Sequence, residues 1–416
     1  MSPPKSTNPA SRRAGLVFIA ITVCLDVVAQ SITFPILPRL CEQLTHGDRP
    51  AAARWVGVLE AAWALAQFIA APALGMLSDR FGRRPVIILS VLGVAIEFVL
   101  AALAPTVEWL MAARVLCGLT CGAQAAAMAY VADVVPPDDR TKNFGWLNAA
   151  AWTGVILGPA LGGVLGAVDL RAPFWAAAAF AGLNAVYGWL VLPESLPERD
   201  RPPWRWAKAN PWGALGLLAS RPGLLAMAGV MLLLWLALHA MNSVLVLYTA
   251  YRYGWTPLAF GVFATAFALV NIGVQTRVAG WVAERLRERR TVLIGLMSQT
   301  VAYLAVSLAP LGWIYWIANL PLALGNIAGP ALQTIMTDKV GPEEQGRLQG
   351  AIGAISCIAG LVGPIAFTQL FAWTIAPGRG GAWSGLPILL GGGLTLVAVA
   401  VVAAFARDVV RTTKPG

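Results

Sequence analysis

Charge is scarce in this chain: 12% of its 416 residues are Asp, Glu, Lys or Arg, where a soluble domain carries about 25%. With 58% hydrophobic residues as well, it cannot cover a water-facing surface, which excludes an ordinary soluble fold. Cysteine is sparse too. Cys24, Cys41, Cys117, Cys121 and Cys357 show neither a metal-ligand spacing nor a disulfide framework. Cys117 and Cys121 share a helix face, where small packing residues are expected rather than a redox pair. GxGxxG and Walker loops, metal clusters and nucleophile–base pairs are missing, so an enzyme has no support. A cleavable leader is not recognisable either. The first apolar run is long, carries Asp26 in its middle and continues to a Pro-rich exit.

What the chain has is apolar runs. Twelve are counted, at about 14–37, 54–77, 85–104, 109–131, 144–167, 173–192, 224–250, 257–281, 291–309, 312–336, 347–373 and 387–406. Each suits a bilayer core of about 30 Å, which takes about 20 helical residues. Gly and Pro interrupt several, as membrane helices tolerate when neighbours satisfy the freed backbone groups. A net charge of +10 would suggest nucleic acid in a soluble protein, but its placement says otherwise. Of 30 Lys and Arg, 22 lie in the tails and alternate loops, six in the other loops and two within spans. That asymmetry places both termini and the long linker in the cytoplasm and needs no nucleic-acid partner. The partner implied is the lipid bilayer.

The chain also repeats itself. At an offset of 205 residues, Gly75–Phe81 aligns with Gly280–Leu286, Pro105 with Pro310, Asp133 with Asp338, Pro137 with Pro342, Gly145 with Gly350, and Gly158-Pro159 with Gly363-Pro364. The halves run 1–192 and 224–416, with a linker at 193–223. This predicts an all-α membrane protein of twelve transmembrane helices in two pseudo-symmetric six-helix bundles. Duplicated halves in membrane proteins usually form a binding site between them and rock about it, so a transporter is expected. The linker tryptophans Trp204, Trp206 and Trp212 are expected at the headgroup level.

Three groups of residues carry chemistry. The first is GMLSDRFGRRP, Gly75–Pro85, expected in the turn between spans 2 and 3. Gly75 and Gly82 would allow tight backbone turns, Arg80, Arg83 and Arg84 would set orientation, and Asp79 and Asp133 lie within reach of Arg83. The second is the stripe Gly154, Gly158 (followed by Pro159) and Gly162 in span 5, which lets another helix approach closely. Only part of it recurs, as Ala359, Gly363 and Phe367. The third is the set of acids inside spans: Asp26, Glu60 and Glu97, with Arg114 as the natural counter-charge. A charge at mid-bilayer costs at least about 2.5–3.5 kcal/mol, so such residues face a cavity or a partner. The repeat counterparts Met231, Thr265 and Ala302 are uncharged, which confines proton handling to the first half.

Polar and aromatic residues at helical spacing outline a pocket for a medium-sized amphipathic molecule. They are Asp26 with Gln30; Glu60, Trp63 and Gln67; Asn148 with Trp152; Asn271 with Gln275; Gln299 with Tyr303; and Asn319, Asn326 and Gln333 at sevenfold spacing. His239 reads as packing or a hydrogen bond. Arg277 reads as a snorkelling side chain that points away from the Asn271/Gln275 face.

The text CLDVVAQSITFPILPRL, LAQFIAAPALGMLSDRFGRRPVIIL, AYVADVVPPDDRTKNFGW, GVILGPALGGVLG, LNAVYGWLVLPESL and GPEEQGRLQGAI resembles the major facilitator superfamily. Within it, the chain looks like the twelve-helix tetracycline/proton antiporters of the drug/proton antiporter branch. The resemblance covers roughly residues 15–373. It implies proton-coupled export of a small amphipathic drug-like compound from the bacterial cytoplasm across the inner membrane, by a functional monomer. Protons serve as the coupling ion, with no cofactor. It assigns Asp26, Glu97 and Gln67 to the coupling and binding region, Asp79, Arg80, Arg83 and Asp133 to the gate, and Gln275 to the substrate. The chain departs from the family at three places: Asn271 stands for a histidine, Gln299 for an aspartate, and Glu60 for an apolar residue. Those changes imply altered coupling and another substrate. A proton-coupled importer or uniporter of a metabolite, or a non-transporting membrane sensor, is the alternative.

Overall fold

A computed structural model describes residues 9–196, 216–219, 221–286, 288–341, 343–379 and 383–412. Trp204, Trp206 and Trp212 lie outside the described residues. Every regular element among these is helical. Eight helices precede the linker: α1 (Pro9–Thr33), α2 (Leu37–Leu44), α3 (Arg49–Phe81), α4 (Arg83–Leu103), α5 (Val107–Thr120), α6 (Ala123–Val134), α7 (Pro137–Val168) and α8 (Ala172–Val191). Nine follow: α9 (Pro222–Asn242), α10 (Leu245–Tyr253), α11 (Pro257–Gly273), α12 (Ala279–Arg285), α13 (Glu288–Leu308), α14 (Gly312–Gly325), α15 (Ala328–Thr337), α16 (Gln345–Thr374) and α17 (Leu386–Thr412). A π-helical turn, Val274–Val278, joins α11 to α12.

Eleven helical stretches are long and apolar enough to cross a bilayer. The twelfth expected span, 312–336, is divided into α14 and α15 at Asn326–Ile327. Its counterpart 205 residues earlier is divided at the equivalent place, Cys121–Gly122, between α5 and α6. Spans 1 and 7 break as well, at Phe34–Ile36 and at Ser243–Val244. The duplication thus repeats helix interruptions as well as helices.

The chain packs as two compact units. One comprises Met1–Leu40, Ala62–Lys208 and Thr256–Thr265; the other comprises Cys41–Ala61, Ala209–Trp255 and Ala266–Gly416. In the first, α1 packs on α7 and α8, and α4 packs on α5, α6 and α8. In the second, α9 packs on α16 and α17, and α13 packs on α14, α15 and α17. The two packing schemes correspond helix for helix. The second core is built from Leu224, Met231, Val292, Leu296, Leu332, Leu348 and Val402, among others. Outward faces stay apolar, as Leu89, Leu92, Ile96 and Leu103 on α4 show, which suits a lipid solvent.

Small residues set the closest approaches. A Cβ at Gly158 would meet Ser31 Cβ at 2.2 Å, and one at Gly162 would meet Ile32 O at 2.1 Å. The Gly154/Gly158/Gly162 stripe is therefore the seam between α7 and α1. Within the same unit, Gly261 of α11 lies against Pro159 O, 2.4 Å from where its Cβ would be. In the second unit a Cβ at Gly57 would meet Pro364 O at 2.7 Å, which seats the first turns of α3 on α16.

The expected turn between spans 2 and 3 is much shorter than its sequence suggested. α3 runs on to Phe81 and α4 begins at Arg83, so Gly82 alone (φ 106°) makes the turn. Gly75 is helical, and no heavy atom lies within 4 Å of a Cβ built on it. The helix continues because nothing from Gly75 to Phe81 breaks it, and only a residue free to adopt positive φ can reverse the chain in one step.

Two arginines that lie outside the main basic loops have structural work. Arg171 donates to Ala102 O and Ala104 O at 2.7 and 2.8 Å, at the end of α4. Arg252 donates to Ala309 O at 3.0 Å, at the end of α13. Each satisfies carbonyls that a helix C-terminus leaves free. Gly158→Ala is expected to destabilise the fold by about 1–3 kcal/mol through overpacking, read as a lower melting temperature in detergent, while Gly75→Ala leaves it unchanged. Equal melting of the two variants would rule out the close α1–α7 seam.

Candidate functional site

The first unit gathers the buried acids of spans 1 and 3. Asp26 on α1 is 6% exposed, and Gln30 Nε2, one turn on, donates to its Oδ2 at 2.9 Å. Asp26 Oδ1 is buried without a hydrogen-bond partner among the described residues. Glu97 on α4 is fully buried, and its Oε1 meets Arg114 Nη2 of α5 at 2.8 Å. The pair is close but off the N–H axis, so it is an ion pair without an aligned hydrogen bond. Glu97 Oε2 has no hydrogen-bond partner among the described residues. Both pairs lie in the first unit, the second of them between α4 and α5.

The break in span 4 lies at the end of α5, the helix that carries Arg114. α5 ends at Thr120, so Cys121 leaves the helix face it was expected to share with Cys117. Its sulfur accepts from Gln67 Nε2 at 3.4 Å. The freed backbone groups are covered: Thr120 Oγ1 donates to Leu116 O at 3.0 Å, and Gly122 N donates to Ser90 Oγ at 3.2 Å. Gly118 brings α5 against α3, 2.5 Å from Trp63 O to a Cβ built there. The structure thus pairs Asp26 with Gln30, Glu97 with Arg114 and Gln67 with Cys121, all within the first unit. Glu60 belongs with the second unit, where Ser243 Oγ donates to its Oε2 at 2.8 Å at the break in span 7.

The charges of the span 2–3 turn form a cluster of their own. Arg83 Nη1 meets Asp79 Oδ1 at 2.5 Å and donates to Ser78 Oγ at 3.2 Å; its Nε meets Asp133 Oδ2 at 3.0 Å. Arg80 is exposed and stacks over Phe81 at 5.8 Å. One member was not singled out in the sequence. Glu194, just past α8, accepts from the backbone N–H of Arg83 (2.9 Å), Arg84 (3.2 Å), Ser195 (2.9 Å) and Leu196 (3.0 Å). α4 has no side-chain cap of its own, so this distant carboxylate serves as one. The only trace in sequence was the LPES text after span 6.

The remaining candidate residues scatter. Asn148 and Trp152 are exposed on α7. Asn271 is 7% exposed near the end of α11. Gln275 and Arg277 both fall in the π-helical turn, where α-helical spacing no longer decides which way they face. Gln299 and Tyr303 are buried on α13, and Gln299 Nε2 donates to Gly325 O at 3.2 Å, covering the carbonyl that the span 10 break frees. That break also dephases the sevenfold series. Asn319 Nδ2 bonds Tyr315 O within α14, Asn326 caps α14, and Gln333 on α15 bonds Gln349. His239 packs against Gly363, with 2.6 Å from its Cβ to a Cβ built there.

Comparison with known proteins agrees with this architecture. Residues 19–364 match the family model described as Major Facilitator Superfamily. The class C tetracycline resistance protein of Escherichia coli is 33% identical, over 92% of this chain and 94% of that protein. The class G tetracycline resistance protein of Vibrio anguillarum is 31% identical, over 94% of this chain and 97% of that protein. Among solved structures, a bacterial homologue of the human lysosomal transporter Spinster superposes with a TM-score of 0.75 at 18% identity, covering 97% of this chain and 98% of the other. A D-xylose–proton symporter superposes with a TM-score of 0.73 at 16% identity, covering 94% and 97%. The chain is a multi-pass membrane transporter and belongs to the major facilitator superfamily.

Proposed function

We propose that the chain is a proton-coupled antiporter that exports a small amphipathic compound across the bacterial inner membrane by alternating access. In this reading it works as a monomer, both termini lie in the cytoplasm, and protons are the coupling ion. The observation that carries it is the unequal treatment of two buried acids. Glu97 faces a cation at 2.8 Å, whereas the hydrogen-bond partner of Asp26 is the neutral amide of Gln30. A carboxyl at membrane depth is costly unless neutralised. Taking up a proton or engaging a cationic group of the cargo each relieves that cost, and the two compete for one oxygen pair. Asp26 is therefore the exchange site, Glu97 and Arg114 set the local field, and Gln67 and Trp63 border it.

Export of a drug-like compound is supported by relatives named as tetracycline resistance proteins. Tetracycline itself is a poorer candidate, since Gln299 is neutral and engaged with Gly325 O, and Asn271 is neutral as well. The Asp79–Arg83–Asp133 cluster holds one of the alternating states, and Glu60 supports the second unit through Ser243.

Asp26→Asn is expected to reduce pH-gradient-driven export of ethidium or tetracycline from proteoliposomes to background; normal export by this variant would sink the assignment. Arg114→Leu leaves Glu97 buried without its cation and should cost about 3–5 kcal/mol of stability. The double variant Arg114→Leu/Glu97→Leu should recover much of that loss in thermal unfolding. If the two variants melt alike, the pair is not the energetic unit described.

A further inference from the structure

The stretch joining the halves is bonded into a helix turn at each of its described ends. At its start, Glu194 holds the N-terminus of α4 through Arg83 and Arg84, and Ser195 Oγ donates to Asp133 Oδ2 at 3.2 Å. Asp133 is the acid that also meets Arg83, so one short turn touches both members of that ion pair. The fit is close: a Cβ at Gly82 would lie 2.3 Å from Glu194 Oε2. At the far end, Arg221 Nη1 donates to Lys339 O at 2.5 Å and its Nη2 meets Glu344 Oε2 at 2.9 Å. Lys339 and Glu344 flank the turn between α15 and α16.

The Ser195 and Arg221 contacts fall at equivalent places. The 205-residue offset carries Asp133 onto Asp338, beside Lys339, and Asp139 onto Glu344. Through Ser195 at one end and Arg221 at the other, the connector thus touches the same turn of the repeat within each unit, while Glu194 reaches the α3–α4 turn besides. The anchors themselves are not duplicated, because the offset carries Ser195 to Ala400 and Arg221 back to Leu16. Two unrelated side-chain solutions at one repeated place argue for a role beyond passive tethering.

We propose that the two described ends of the connector, Glu194–Ser195 and Arg221, are positioning elements of the charged turns. Glu194 and Ser195 orient Arg83 and Asp133, and Arg221 does the same for the α15–α16 turn. This rests on the gating role given above to the Arg83 cluster, so its test has a readout that does not need transport. The purified full chain in lipid nanodiscs is treated with trypsin, and cleavage between Arg199 and Lys208 is timed. Glu194→Gln and Arg221→Glu should each raise the cleavage rate roughly five- to ten-fold by releasing one anchor. The charge swap Arg221→Glu/Glu344→Arg should bring the cleavage rate more than halfway back to that of wild type, and Glu194→Asp should fall between wild type and Glu194→Gln. Melting followed by tryptophan fluorescence separates local release from global unfolding. In ethidium transport, Glu194→Gln should lower the maximal rate while KM holds. Should wild type move no ethidium, ethidium is not its cargo and the proteolysis alone decides the connector. Unchanged cleavage in the single variants, a swap no better than Arg221→Glu alone, or cleavage that rises only in step with lost melting temperature overturns the proposal.

Discussion

Inside a bilayer there is no water to receive a backbone N–H or C=O that a broken helix releases, and this constraint organises the molecule. Two equivalent spans are interrupted, at Cys121–Gly122 and at Asn326–Ile327. Each interruption is covered from the neighbouring third helix of its repeat. Ser90 on α4 accepts from Gly122 N, and Gln299 on α13 donates to Gly325 O. Glycines make room for this: Gly93 faces Thr120, and Gly295 faces Ala328. Helix ends at the opposite side obey the same rule, with Arg171 and Arg252 covering the carbonyls that end α4 and α13.

The buried polar groups of the first unit lie beside the first of those breaks. Ending α5 at Thr120 turns Cys121 toward Gln67 and leaves Arg114, two turns earlier, paired with Glu97. The repeat has kept the scaffold and altered its chemistry. Where the first half has acids the second has Met231, Thr265 and Ala302, and its interruption is closed by an amide instead of a hydroxyl.

Much of the architecture was legible in the chain. Hydropathy located the spans to within a few residues, because transfer of a 20-residue stretch sums local preferences. The small-residue stripe Gly154/Gly158/Gly162 was legible for the same reason: its spacing alone places it on one face. Site residues were legible where local spacing suffices, as for Asp26 and Gln30, four apart on one helix. They were not where the helix changes register. The Asn319/Asn326/Gln333 series assumed unbroken α geometry and was dephased at Asn326, and Gln275 and Arg277 fall in a π-helical turn, where α-helical spacing does not decide their facing. Gly75, read as a turn residue, sits inside α3, since a glycine is permitted in a turn without being compelled into one.

From the sequence by itself came the membrane class, the twofold repeat, the stripe that joins α1 to α7, and the identity of the buried acids. Each follows from composition, period or offset, quantities that add up along the chain. Tertiary structure alone decided that Glu97 rather than Asp26 faces Arg114, that Glu60 bonds Ser243 in the second unit, and that Glu194 caps α4. These depend on which backbone and charged groups the folded helices leave unsatisfied. Residues 111 positions apart, as Arg83 and Glu194 are, meet for that reason, and no local pattern records it.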